Sequence, residues 1–203
     1  MQKPTKERFL EDIKNHKIII IKDDDFYRHI IMTSGSSIFK YEIITWPNYL
    51  CICGDMGCFV FSRVEDMFQF FRPRKDELYI NPSYWHEKIQ GKDKIDSFKE
   101  FDPYVFEKII KEIFEETTKN KSKEEKEKVW EIIQDEILVC SDSFFEESYE
   151  EIIERAEESA ERYGIEGFTD MHDYDFSSYK YSYIWCLYAI VYAIQQYDKT
   201  KRK

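Results

Sequence analysis

Glycine and proline are scarce, 6 and 5 among 203 residues, too few for extended flexible or proline-rich spacers. Long apolar runs are missing too. The longest, 183–194, covers 12 residues, short of the roughly 20 that cross a bilayer, so it reads as a buried helix. The five cysteines (51, 53, 58, 140, 186) are an odd set without a disulfide framework. The polar start, Met1 to Glu11, does not read as a signal peptide. Reduced thiols and a cytoplasmic setting are the expectation. Zinc-protease, P-loop and nucleophile-elbow spacings are all lacking. A basic excess is lacking as well: the net charge is −11, which disfavours direct contact with nucleic acid or an anionic membrane.

What is present is a globular balance, 42% hydrophobic and 35% charged, enough for one domain with a substantial core. The 16 Phe, 15 Tyr and 4 Trp supply core, and the tyrosines also suit an interface. A short N-terminal helix carries Phe9, Leu10 and Ile13 on one side. Strand signals follow at 18–21, 26–32, 38–45, 49–53 and 58–61, separated by turns at Asp23-Asp24-Asp25, Thr33-Ser34-Gly35-Ser36-Ser37, Trp46-Pro47-Asn48 and Gly54-Asp55-Met56-Gly57. Ser62-Arg63-Val64-Glu65 has the form of a capping box opening a helix. Asn81-Pro82 and Asp102-Pro103 start further helices. The spacings at 123–138, 145–163 and 178–197 predict three more. The expectation is an α+β fold: an N-terminal antiparallel sheet of four to five strands packed against a C-terminal helical bundle. It forms one domain over 1–203, mainly β to residue 62 and mainly α from residue 63.

Candidate chemistry is thin. Cys51, Cys53 and Cys58 can bring three sulfurs together, because residues two apart on a strand share a face and Cys58 lies across the turn. A structural zinc wants four ligands, and none of the remaining residues nearby supplies the fourth, so these cysteines read as structural. His172 beside Asp173 and Asp175, His86 beside Glu87, and His29 are the conceivable acid–base groups, with no motif behind them. No catalytic, cofactor or metal residues are assigned.

Charge is the stronger signal. Between residues 135 and 175 there are 15 acidic and two basic residues, a window of −13 that leaves +2 for the rest of the chain. In the helix predicted over 145–163, Tyr149, Ile152, Ile153, Ala156, Ala160 and Tyr163 hold the spacing of a core stripe. Glu147, Glu150, Glu151, Glu154, Glu157, Glu158 and Glu161 line the opposite side. Like charges at i, i+4 repel, and most surface helices intersperse Glu with Lys. A face of one sign is suited to a basic partner.

The run from Ile44 through Trp46-Pro47-Asn48-Tyr49-Leu50-Cys51-Ile52-Cys53-Gly54-Asp55-Met56-Gly57 to Phe59-Val60-Phe61-Ser62-Arg63 resembles an uncharacterised phage and prophage family of similar length. Met67-Phe68, Phe70-Phe71-Arg72, Ile80-Asn81-Pro82-Ser83-Tyr84-Trp85 and Tyr183-x-Trp185-Cys186 extend the resemblance. It implies a small accessory protein of a mobile element, acting in the cytoplasm of a bacterial host. By analogy it suggests an anti-CRISPR type of defence inhibitor. In that family pattern most residues read as architecture, and Asp55, at a turn tip, is the exception.

Together these give an expected role as a non-enzymatic inhibitory binding protein. Its acidic face, with Asp55 as a further contact, would dock on the basic nucleic-acid channel of a bacterial protein such as a CRISPR–Cas effector. Direct nucleic-acid or membrane binding is not expected. The alternatives are an enzyme using the Cys51/Cys53/Asp55 turn or His172, and a self-associating phage structural or regulatory protein.

Overall fold

A computed structural model describes residues 4–73, 77–92, 98–143 and 148–202, with backbone alone at 142 and 143. The fold is α+β, an N-terminal antiparallel sheet followed by helices. The chain divides into two compact units, Met1–Phe98 with Tyr179–Lys203, and Lys99–Ser178.

In the first unit, helix α1 (Lys6–Asp12) precedes strands β1 (Lys17–Asp24), β2 (Tyr27–Thr33), β3 (Tyr41–Trp46), β4 (Tyr49–Gly54) and β5 (Gly57–Ser62). Helices α2 (Met67–Phe71) and α3 (Pro82–His86) and strand β6 (Ile89–Lys92) follow, and α7 (Tyr181–Lys201) completes the unit. The sheet is a meander in strict sequence order, β1-β2-β3-β4-β5-β6, antiparallel throughout. β6 is one strand more than the sequence predicts. It carries only Ile89 as a large apolar residue and joins β5 through a register shift at Val60/Phe61.

Strand alternation sets the two faces. Ile30, Met32, Tyr41, Ile43, Leu50, Ile52, Phe59 and Phe61 are buried on one of them. α7 packs here. Tyr183, Trp185, Leu187, Ala189, Ile190 and Ile194 are all at 0% exposure, as the helix's all-round apolar sequence requires. Full burial of each such aliphatic side chain is worth about 1.5–3 kcal/mol. The polar edges of the aromatics are satisfied: Trp185 Nε1–H donates to Asp12 at 3.1 Å and Tyr41 Oη–H to the Ala189 carbonyl at 3.2 Å.

The capping box at Ser62 does not open a helix. Ser62 ends β5, and α2 starts five residues later, at Met67, with Asp66 as its cap, accepting from Phe68 N–H at 3.0 Å. Asp66 is the better cap because its carboxylate also binds the buried Arg28 guanidinium at 2.8 Å, which lies 4.6 Å over the Phe68 ring.

In the second unit, β7 (Lys99–Phe101) pairs with β8 (Ser177–Tyr179). Helices α4 (Pro103–Thr117), α5 (Lys123–Ile132) and α6 (Tyr149–Tyr163) build the rest. Asp102 caps α4 as the sequence predicts, and Ser122 caps α5. The helix predicted over 123–138 instead passes into a π turn, Ile133–Ile137, and a 3₁₀ segment, Leu138–Ser143. The change keeps both Ile133 and Ile137 at 0% exposure. Phe106, Ile110, Ile152, Ile153, Ala156, Ala160, Phe168 and Phe176 complete a core separate from that of the first unit. Thus α7 covers the sheet, while α4, α5 and α6 enclose a core of their own.

Candidate functional site

Helix α6 starts at a reciprocal cap. Ser148 Oγ accepts from Glu151 N–H at 3.3 Å, and the Glu151 carboxylate accepts from Ser148 N–H at 2.7 Å. It stops at Gly164, whose φ of 64° is the left-handed turn that glycine supplies without strain. Between these ends most of the core stripe lies where the periodicity predicts: Ile152, Ile153, Ala156 and Ala160 are buried and Tyr149 is half-buried. Tyr163, expected in the stripe, is exposed because its hydroxyl reaches out to donate to Glu136 at 2.9 Å.

The seven predicted glutamates separate into three groups. Glu147 lies outside the described residues. Two others have work inside the unit. Glu151 closes the cap, and Glu157, half-buried, accepts from Met171 N–H at 2.7 Å with His172 Nε2 at 3.6 Å. The remaining four, Glu150, Glu154, Glu158 and Glu161, are exposed. At 3.6 residues per turn they fall within an arc of about 80°.

Among the described residues none of these four joins an ion pair, whereas α4 and α5 carry Lys108–Glu112, Lys111–Glu107 and Lys123–Glu127. The position of the charge matters as well as its sign. Carboxylates near a helix N-terminus are favoured by the macrodipole, and those near the C-terminus are disfavoured. Glu158 and Glu161 sit in the second half of α6, so helix stability does not call for them.

Asp55 is at its turn tip, but engaged. Its carboxylate accepts from Phe39 N–H at 2.9 Å, and its own N–H donates to the Lys40 carbonyl at 3.0 Å. Phe39 has φ of 54°, a conformation unfavourable for a bulky residue, and this clasp holds it. Gly54 is required at the same place: a Cβ there would lie 2.3 Å from the Lys40 carbonyl oxygen and 2.7 Å from Tyr41 Cα.

Comparison with protein-family models, curated proteins and solved structures finds no match to this chain. The site is therefore read from geometry alone.

The cysteines do converge. Cys51, Cys53 and Cys58 share the face of the sheet opposite the α7 core, all half-buried. Cys53 and Cys58 are direct cross-strand partners with Cα atoms 4.2 Å apart, and form a disulfide. The expectation of reduced thiols is corrected for this pair. The signal was present in the sequence: the two cysteines flank Gly54-Asp55-Met56-Gly57 symmetrically, so a two-residue hairpin turn must place them opposite one another. Cys51 remains a thiol, and burial raises its pKa.

The histidines do not converge. His29 Nε2 bonds Glu42 at 2.8 Å, and His16 Nε2 bonds the Phe39 carbonyl at 3.0 Å. His86 stacks among Phe98, Tyr179 and Tyr183, and His172 is exposed beside Glu157. No helix among the described residues is long and apolar enough to cross a membrane.

Proposed function

We propose that this chain is a binding protein that presents α6 to a basic surface on a partner protein. The observation that carries the reading is the arc of Glu150, Glu154, Glu158 and Glu161, exposed and, among the described residues, in no ion pair, on a helix whose Glu151 and Glu157 are used internally. Carboxylates left in this state cost the helix a little through repulsion and the macrodipole, and that cost is recovered when a cationic surface meets them. Each exposed pair contributes only about 0.2–1 kcal/mol. Four acting together raise the association rate and fix the orientation of docking.

In its finer form, the proposal is a phage-encoded inhibitor that works in the cytoplasm of the bacterial host. Its target there is a protein with a basic nucleic-acid channel, such as a CRISPR–Cas effector. The resemblance of residues 44–72, 80–85 and 183–186 to a phage family supports that form, as does the one-sign face.

The test is capture from a bacterial lysate with the wild type and the reversal E150K/E154K/E158K/E161K. Both proteins should melt within a few degrees of one another. The wild type should retain a partner at 0.1 M salt and release it at 1 M, where the Debye length falls from about 10 Å to about 3 Å. The reversal should retain at least tenfold less. A partner held equally by both proteins means that the acidic arc is only solvated.

A further inference from the structure

We propose that Cys51, Cys53 and Cys58, when reduced, form a three-thiolate site for one copper(I) ion. The placement follows from the hairpin. Gly54 pairs with Gly57 around a two-residue turn, so Cys53 and Cys58 occupy the next cross-strand position, and Cys51 follows two residues along on the same face. Cys51 Sγ is 3.5 Å from Cys53 Sγ and 3.9 Å from Cys58 Sγ, and all three sulfurs lie within 4.8 Å of one another. A trigonal ion with metal–sulfur bonds of about 2.3 Å needs sulfurs about 4.0 Å apart. Two of the three separations are already close to that value. The third is set by the disulfide, and widens when that bond opens.

The donor set selects the ion. Among the described residues no histidine or carboxylate joins the three sulfurs. A structural zinc ion wants four ligands in a closed tetrahedron. Soft thiolates favour copper(I), which accepts three. Glu42 faces Cys53 across the β3–β4 register but is taken up by His29 and Lys40. A depression of about 490 Å³, lined by Ser37, Lys40, Glu42, Gly54 and Asp55, lies beside Cys53.

Occupancy depends on redox state. In the disulfide form two of the three donors are consumed. An external thiol reductant opens the bond: two equivalents of thiol supply two electrons and two protons, leave as their own disulfide, and yield Cys53 and Cys58 thiols. Copper(I) then binds the three sulfurs and releases three protons.

The experiment uses the full chain. It is reduced with a phosphine under anaerobic conditions and titrated with copper(I) against a chromophoric copper(I) chelator. The expected result is one ion withdrawn per reduced chain, with an ultraviolet thiolate-to-metal band, and none per oxidised chain. C51S and C58S should each lose the ion while C140A keeps it, with circular dichroism checking the fold of every variant. X-ray absorption on the loaded wild type gives an answer independent of any variant: three sulfur neighbours are expected. Retention of copper by folded C51S overturns the proposal. So does a first shell containing nitrogen or only two sulfurs, or failure of the reduced wild type to compete with the chelator.

Discussion

The two units solve the same burial problem with different side chains. In the sheet-containing unit the interior is aromatic: Phe9, Phe39 and Tyr41 ring Trp185, while Phe61, Phe71 and Trp85 pack edge to face. In the unit at 99–178 the core is mostly aliphatic, with Ile110, Ile133, Ile137, Ile152 and Ile153 at its centre. Charge follows the same division. The second unit has 25 acidic and 10 basic residues, a net of −15; the first has 16 and 20, a net of +4. Geometry explains why the surplus sits where it does. α7 buries most of its circumference and turns outward only a half-buried stripe of Tyr188, Tyr192 and Gln195, which leaves little room for charge, while α4, α5 and α6 each bury a single stripe and leave the remainder to water.

The largest effect that would break this contrast is removal of α7. A chain ending at residue 177 loses the cover of the whole sheet, so amide protection in β3, β4 and β5 should vanish in hydrogen exchange. Persistence of protected strands in that fragment would show that the sheet unit does not depend on the helix. Next in size is Trp185→Ala. It removes the ring contacts with Phe9, Phe39 and Tyr41 and the bond to Asp12, and should cost about 3–5 kcal/mol in denaturant unfolding. A cost below 1 kcal/mol would mean that the aromatic interior is more plastic than its packing implies.

The smallest effect lies on the outer face of the sheet. The hydrogen bond from His29, with help from Lys40, holds the Glu42 carboxyl below its ordinary 4.5 against the opposing effect of burial. A depressed carboxyl favours the folded state while ionised. Its contribution is complete above pH 4.5 and is lost as pH falls through the lowered native value. Wild type should therefore lose roughly 0.2–1 kcal/mol more than Glu42→Gln on acidification through that range. Parallel pH profiles for the two proteins would remove the pair from the account.

Much of the fold is legible from residue pattern. The Thr33–Ser37 reversal, the Asp102 cap and most of the α6 core stripe lie where periodicity and capping chemistry put them. What was missed was decided by tertiary partners. Ser62 looks like a cap, but Asp66 is chosen because Arg28, 38 residues away, needs its carboxylate. β6 has too few apolar residues to announce itself and exists because β5 offers an unpaired edge. The acidic arc could be read only as seven glutamates on one side; the structure separates those with internal partners, Glu151 and Glu157, from those without. Asp55 looked surplus to architecture because its partner, the Phe39 amide, is brought to it by an adjoining loop rather than by sequence neighbours.

The sheet begins at residue 17, and the helix that covers it begins at residue 181. During synthesis, six strands' worth of apolar surface must therefore wait for a segment made only after the whole of 99–178. The acidic unit, contiguous in sequence, has every partner it needs before α7 is made, and its short-range helical contacts close quickly. For the nascent chain this sets an order of assembly, helical unit first and sheet unit last. A chain stalled between the two would show an uncovered apolar sheet face to its neighbours, the state most prone to aggregation.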